Sequence, residues 1–292
     1  RDAYQIRRAV QDLGAVAVEQ RMQQKAQLTR DFLKRCKQRK WSVKISDSMG
    51  SSMKGGDLLT RTLVLRRLLR REVLADDERY VGVLLPPSVG GVLANTALAV
   101  DHRISVNLNY TASADVINQC TEVAEVRHIL TSRRVVSKLP DSVTKNLRGE
   151  LVYLEDFRDK VTMADKLTAA LQGYVLPASV VAGQLKLKKI QPDDVMTIIF
   201  TSGSTGAPKG VMLTHANVAH NVDAINQVVH IRSSDILLGI LPFFHSFGYT
   251  VTMWGALGLN IQGVYHYNPL DGKQVGKLCR AHGATLLLAT PT

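Results

Sequence analysis

A chain of 292 residues with 45% apolar and 21% charged side chains has the balance of an ordinary globular protein, which excludes a disordered or fibrous chain. Its length allows one large domain or two smaller ones. The formal charge of +12 invites an anionic partner. The three scattered cysteines (Cys36, Cys120, Cys279) are odd in number and lack C-x-x-C spacing, which fits reduced thiols in a cytoplasmic setting better than disulfides or zinc.

The chain starts on arginine with no apolar h-region behind its first charges, so the N-terminus reads as a cut from something longer and not as a signal peptide. Residues 1–40 read as helix, with Ile6, Val10, Leu13 and Ala17 on one face. Residues 1–80 hold 19 Lys/Arg against 10 Asp/Glu, and the stretch 21–44 alone has nine bases and one acid. This segment reads either as a solvated basic helix or as a footprint for an anionic membrane surface. Leu28, Phe32 and Cys36, at i, i+4 and i+8, would form the lipid-facing side. Only Phe32 and Trp41 offer stacking platforms there, so nucleic acid is not expected.

The Ser/Gly-rich 46–57 reads as a boundary, and Asp57 as the N-cap of a helix bearing Leu65, Leu68, Leu69 and Val73. Beyond it the chain alternates. Strands are expected at "RYVGVLLP", "RISVNL", "RHILTS", "ELVYLE", "VMTIIF", "GVMLTH", "DILLGIL", "NIQGVYHY" and "ATLLLAT". Helices are expected at 88–100, "SADVINQCTEVA", 159–172, 215–230, 246–257 and 271–282. Such alternation predicts an α/β fold with a largely parallel sheet. The uncharged runs 81–100 and 236–270 are broken by Pro86-Pro87 and by Pro242 and His245, so they read as strand–loop–helix units and not as membrane spans.

The densest chemical signal is "VMTIIFTSGSTGAPKGVMLTH", residues 195–215. Glycines let backbone N–H groups close around phosphate oxygens, hydroxyls add donors, and a lysine adds charge. Counting from Gly203, Walker A would need glycine where Pro208 stands, and the dinucleotide fingerprint would need glycine at 205 and 208. Both are excluded.

"FTSGSTGAPKGVMLTHAN" resembles the phosphate-binding signature of the AMP-forming adenylating enzymes, the acyl-CoA synthetase, peptide-synthetase and luciferase superfamily. "DILLGILPFFHSFGYT" resembles that family's P-x-x-H-x-x-G segment near the acyl site. "VGVLLPPSVGGVLANTALAV", "ISVNLNYTASADVINQC" and "HILTSRR" are similar to the branch of acyl-[acyl-carrier-protein] synthetases fused to 2-acylglycerophosphoethanolamine acyltransferases. The resemblance covers 41–292 and implies layered sheets with flanking helices, the incomplete N-terminal large domain of an adenylate-forming enzyme. It sets 1–40 apart as a basic linker or the tail of a preceding acyltransferase domain.

The activity implied is ATP-dependent activation of a fatty acid to an acyl-adenylate and then to a thioester on acyl carrier protein or CoA, linked to phospholipid acylation. Thr201, Ser202, Gly203, Ser204, Thr205 and Gly206 would cradle the phosphates of ATP, with Lys209 adding charge and Mg²⁺ accompanying the nucleotide. His245 would act near the carboxylate, and Phe243, Phe244, Phe247 and Gly248 would border the acyl pocket. The family's adenine-binding, hinge and C-terminal lysine segments are expected beyond residue 292, so this stretch alone is expected to turn over little. The location implied is cytoplasmic, at the inner face of a membrane within a larger fused protein. Two readings from other classes remain open at this stage: a non-catalytic nucleotide- or acyl-binding relative, and a membrane-surface module.

Overall fold

A computed structural model describes residues 2–23, 28–202 and 207–289. Eleven strands among these residues form two sheets. The first has the order β11-β9-β10-β1-β2, with β1 at Val43–Asp47, β2 at Ser52–Lys54, β9 at Ile236–Gly239, β10 at Gln262–Tyr265 and β11 at Leu286–Leu288. The second has the order β6-β5-β3-β4-β7-β8, with β3 at Tyr80–Val83, β4 at Ile104–Asn107, β5 at His128–Thr131, β6 at Glu150–Tyr153, β7 at Val195–Ser202 and β8 at Pro208–Thr214. All pairings are parallel except the two hairpins, β1·β2 and β7·β8. The alternation in the sequence thus yields the expected α/β fold, divided over two sheets.

Strand periodicity sorts side chains into layers. On β4, Ile104 and Val106 pack with Ile117 and Cys120 of helix Ala114–Val123. Ser105 and Asn107 point the other way, Asn107 reaching Asn95 of helix Val89–Val100 and Ser105 approaching Tyr249. On the other sheet, Leu238 and Val264 meet Leu278 of helix Gly272–His282, whereas Leu237 and Tyr265 face the largest cluster. That central cluster draws on both sheets and on the helices between them.

The N-terminal boundary differs from expectation. Helix Leu28–Gln38 buries Leu28, Phe32, Leu33 and Cys36 in the central cluster. The face proposed for lipid is thus already covered by the protein's own core, and the body begins near Leu28 instead of at 41. Helix Ala3–Gln23 is separate, and Ile6, Val10 and Leu13 on it stay exposed. The stretch read as a boundary at 46–57 is the β1–β2 hairpin, closed by Asp47, whose carboxylate accepts from Met49 N and Ser51 N at 3.0 Å each. Helix Gly55–Glu72 then starts two residues earlier than Asp57, because the chain must pass close to its neighbours. A Cβ at Gly55 would lie 2.3 Å from the Cys36 carbonyl oxygen. Asp57 accepts from the Tyr174 hydroxyl at 2.6 Å instead of capping the helix.

Lys44 on β1 is fully buried and donates to the carbonyls of Ala256, Leu259 and Ile261 at 2.6, 2.7 and 2.8 Å. Burial pushes its pKa down to about 7, while three acceptors, one for each N–H, favour the charged form. This contact fixes the chain as it enters β10. The expected helix at 159–172 is observed as Met163–Ala170 followed by a wider π turn, Leu171–Val175. The one expected near 246–257 winds as a π-helix over Gly248–Gly255. Among the described residues no helix is long and apolar enough to cross a membrane.

Candidate functional site

The glycine-rich loop joins two antiparallel strands. A Walker A loop opens a helix, so the topology agrees with the exclusion made from spacing. In the β7–β8 register Phe200 faces Gly210, Thr201 faces Lys209 and Ser202 faces Pro208. Gly203, Ser204, Thr205 and Gly206 lie outside the described residues. What the structure shows is the frame that holds them. Pro208 opens an edge strand, a position that tolerates its missing N–H. Gly210 is required by its partner strand, since a Cβ there would come within 3.0 Å of Ile198 and 3.3 Å of the Phe200 ring. Thr201 and Lys209 are both exposed, side by side at the base of the loop.

After β8, Thr214 caps helix His215–Val229 through a reciprocal pair with Asn217. His215, the first residue of that helix, is buried, and burial pushes its imidazole down to about 4. The ring is therefore neutral at pH 7, and its Nδ1 lacks a hydrogen-bond partner.

The second motif follows β9. His245 N–H donates to the Pro242 carbonyl at 3.1 Å and the His245 carbonyl accepts from Tyr249 N at 2.9 Å, which turns the chain into the π-helix. Gly248 permits this fold-back, because a Cβ would sit 2.0 Å from the Pro242 oxygen. Phe244 packs edge-on to Tyr110 at 5.0 Å, with the His245 ring 4.5 Å from its own. Partial burial of the exposed residue's ring lowers the His245 pKa, favouring the neutral imidazole.

The two motifs share one cavity of about 460 Å³. Thr201 and Pro208 contribute from the hairpin, Phe244 and His245 from the turn after β9, and Asn107 and Asn109 from the end of β4. Ile117 and Cys120 close it from helix Ala114–Val123. Phe247 borders a neighbouring cavity of about 280 Å³ with Leu213, Val218, Thr250 and Val251. Phe243 is placed elsewhere. It is buried in the core with its ring 5.5 Å from Tyr265, so it supports the wall without lining either cavity. Gly248 likewise shapes the backbone and lines neither.

Sequence reasoning missed the asparagines. Asn95 and Asn107 exchange amide hydrogen bonds of 3.1 and 2.9 Å in the buried interior. Beside them Ser105 donates to Thr197 at 3.1 Å, Thr197 returns to the Ser105 carbonyl at 2.7 Å, and Ser105 lies 3.4 Å from the Tyr249 hydroxyl. This network ties helix Val89–Val100, β4, β7 and the π-helix beneath the cavity, and such connected buried polar groups hold a single geometry. The available signal was the alternation of Ser105 and Asn107 with Ile104 and Val106, which puts a polar face on a strand of the interior.

The match to known proteins follows the same frame. A family model described as AMP-binding enzyme matches residues 33–292. The chain belongs to that family. It is 31% identical over 171 residues to 4-coumarate-CoA ligase 1 of Narcissus pseudonarcissus, covering 56% of this chain and 29% of that one. The chain therefore spans less than a third of the length of that relative. In fold it is similar to a fatty acyl-adenylate ligase from L. pneumophila in complex with acyl adenylate and pyrophosphate. That match has a TM-score of 0.69 and 18% identity, with 90% of this chain and 44% of the other covered. It is also similar to ATP-bound MatB from Rhodopseudomonas palustris, with a TM-score of 0.66 and 19% identity over 90% of this chain and 49% of the other. The observed architecture is that of adenylate-forming enzymes over their N-terminal part.

Proposed function

We propose that this chain supplies the phosphate-cradling and acid-positioning part of an ATP-dependent acid–thiol ligase. The supporting observation is that Thr201 and Pro208, flanking the glycine-rich loop, line the same cavity as Phe244 and His245, about 40 residues away in sequence. In the reaction a carboxylate oxygen of the acid attacks the α-phosphorus of ATP and the bond to the β-phosphate oxygen breaks, releasing pyrophosphate. A thiolate then attacks the acyl carbon of the adenylate, and AMP departs with the bonding pair. Chemistry of this kind gains most from positioning and charge neutralisation. Loop residues 201–206 donate to the phosphates, and Lys209 stabilises the charge that builds on departing pyrophosphate. Mg²⁺ enters with ATP as part of the nucleotide substrate, held through phosphate oxygens.

His245, kept neutral by partial burial, donates to or accepts from the acid's carboxyl end at the cavity mouth. A fatty acid is the substrate favoured by the apolar wall that Phe244 forms with Leu108, Val116 and Ile117 in the cavity shared with His245. The acceptor thiol is acyl carrier protein or CoA, with the product feeding phospholipid acylation.

ATP–pyrophosphate exchange driven by a long-chain fatty acid, measured on the full-length protein, tests the reading. Lys209→Ala and Gly206→Asp should each lower exchange by roughly tenfold or more. Wild-type rates in both variants would reject the phosphate assignment. No exchange with any carboxylate would reject the ligase.

A further inference from the structure

One surface feature is unrelated to the cavity. Along helix Met163–Ala170 and the π turn that continues it, Met163, Leu167, Leu171 and Val175 recur every fourth residue, and all are exposed, by 67, 65, 46 and 69%. In a plain α-helix, residues spaced by four drift steadily around the axis; the wider π turn reverses that drift and swings Val175 back towards the side of Leu167. The opposite side is anchored. Ala169 and Gln172 are buried, and Gly173 sits so close to Thr60 that a Cβ would lie 2.1 Å from its hydroxyl oxygen. The apolar stripe therefore faces outward on a fixed element.

Trp41 extends the stripe at its far end. It is 67% exposed and packs at a tilt against Tyr174, the residue before Val175, with ring centroids 4.9 Å apart and planes 40° apart. Lys37 and Lys40 reach the carbonyls of Gln172 and Tyr174, placing two ammonium groups beside the same turn. Between 163 and 189 the chain carries one acid, Asp165, which is buried and paired with Arg71 at 3.0 Å. Against it stand the exposed Lys166, Lys186, Lys188 and Lys189. The last three follow Gln184, which is bonded to Gln172 at 2.7 Å, so they border the same face.

We infer that this stripe, with Trp41 and its lysine rim, is a docking surface for an anionic phospholipid membrane. Four apolar side chains on one side of a rigid helix are suited to enter the acyl boundary. A tryptophan settles at headgroup depth, and lysines near an anionic surface each add favourable energy. A protein partner would be expected to meet the bare ridge with acids of its own, whereas a lipid surface supplies both the apolar layer and the negative charge. The apolar stripe is distinct from the Leu28, Phe32 and Cys36 face considered in the sequence, which is buried in the core, although Lys37, Lys40 and Trp41 come from the same 21–44 stretch.

Both tryptophans emit, but Trp254 is fully buried and Trp41 is exposed, so a change in emission or quenching on vesicle binding reports on Trp41. The 292-residue chain is mixed with vesicles of phosphatidylcholine with and without phosphatidylglycerol, and binding is followed by sedimentation, emission and quenching by brominated lipid. Binding to the anionic vesicles with a blue shift and quenching is expected, with weak binding to the neutral ones. The double variant L167E/V175E should lower partitioning about tenfold or more, with an unchanged thermal melt. The pair I6E/L13E, on the other exposed helix, should leave it unchanged, and W41F should remove the spectral response while sedimentation persists. Equal binding to neutral vesicles, loss of binding only with I6E/L13E, or no binding to any vesicle would overturn the inference. So would a change of oligomeric state with L167E/V175E, which would make the stripe an interface between copies.

Discussion

His215 is expected to make the stability of this protein fall with acid in a defined window. The imidazole is 5% exposed at the start of the helix after β8, and burial holds its pKa at about 4 against an ordinary 6.5. Asp194 opposes this from the turn before β7, while His102 adds to it. In the unfolded chain the ring binds a proton near its ordinary value. Between roughly pH 6.5 and 4 the unfolded state therefore holds the extra proton, and the native state loses relative stability as pH falls. A depression of about 2.5 units corresponds to about 3 kcal/mol across the window, at 1.36 kcal/mol per unit. Urea unfolding at a series of pH values from 7.5 downward measures it. His215→Asn, which has no titrating ring, should shallow that slope by close to this amount, even if it also lowers the plateau at neutral pH. The comparison isolates His215 because His245 and His266, whose pKa values burial also lowers, are present in both proteins. Parallel pH profiles in the two proteins would refute the assignment.

Three further outcomes follow from the contacts. Gly248→Ala places a Cβ against the Pro242 carbonyl, and a loss of about 3 kcal/mol is expected in urea unfolding, whereas an unchanged midpoint would contradict the backbone path. Lys44→Met preserves bulk but leaves three buried carbonyls without donors, so a destabilisation of about 3 kcal/mol is expected, with a melt at or above wild type as the contrary result. Phe244→Ala enlarges the cavity it shares with His245, so the KM for the acid should change with the KM for ATP held, and a shift in the ATP term alone would move Phe244 to the nucleotide side.

Nine of the eleven strands described, from β3 to β11, most of the longer helices and the glycine-rich connection after β7 were legible in the sequence because local patterns determine them, whereas β1 and β2 were not. Short apolar runs set between helical stretches marked β3 to β7, and the missing glycine at 208 excluded two familiar loops. The failures share a cause. Periodicity gives an apolar face but not its partner, so Leu28, Phe32 and Cys36 could be assigned to lipid although the core takes them. Serines and glycines at 46–57 mark a tight path, and only the neighbouring Cys36 carbonyl and the Tyr174 ring show that the path is a hairpin leading into a packed helix. The stripe at 163–175 needed the π turn to stay in line, and no local spacing announced that turn.

The same distinction explains which site residues were visible. A motif such as the one around Lys209 is recognisable because its chemistry lies in consecutive residues. The third wall of the cavity is made by Asn107 and Cys120, whose positions depend on β4 lying beside β7 and on helix Ala114–Val123 covering both. Asn107 is further fixed by an amide partner twelve residues away and by Thr197 on the adjacent strand, 90 residues away. In the proposed function the loop supplies the donors, and this buried network beneath β4 and β7 holds the strand that carries it. Replacing Asn107 by leucine would remove its amide bonds to Asn95 and leave the Asn95 side-chain oxygen without its donor in the core, while the Asn95 nitrogen keeps the Gly91 carbonyl, at a cost of about 1–3 kcal/mol. If the network positions the loop, exchange activity in that variant should fall further than its stability does at the assay temperature. A loss of activity that tracks only the unfolded fraction would make the asparagine pair a stabilising contact and nothing more.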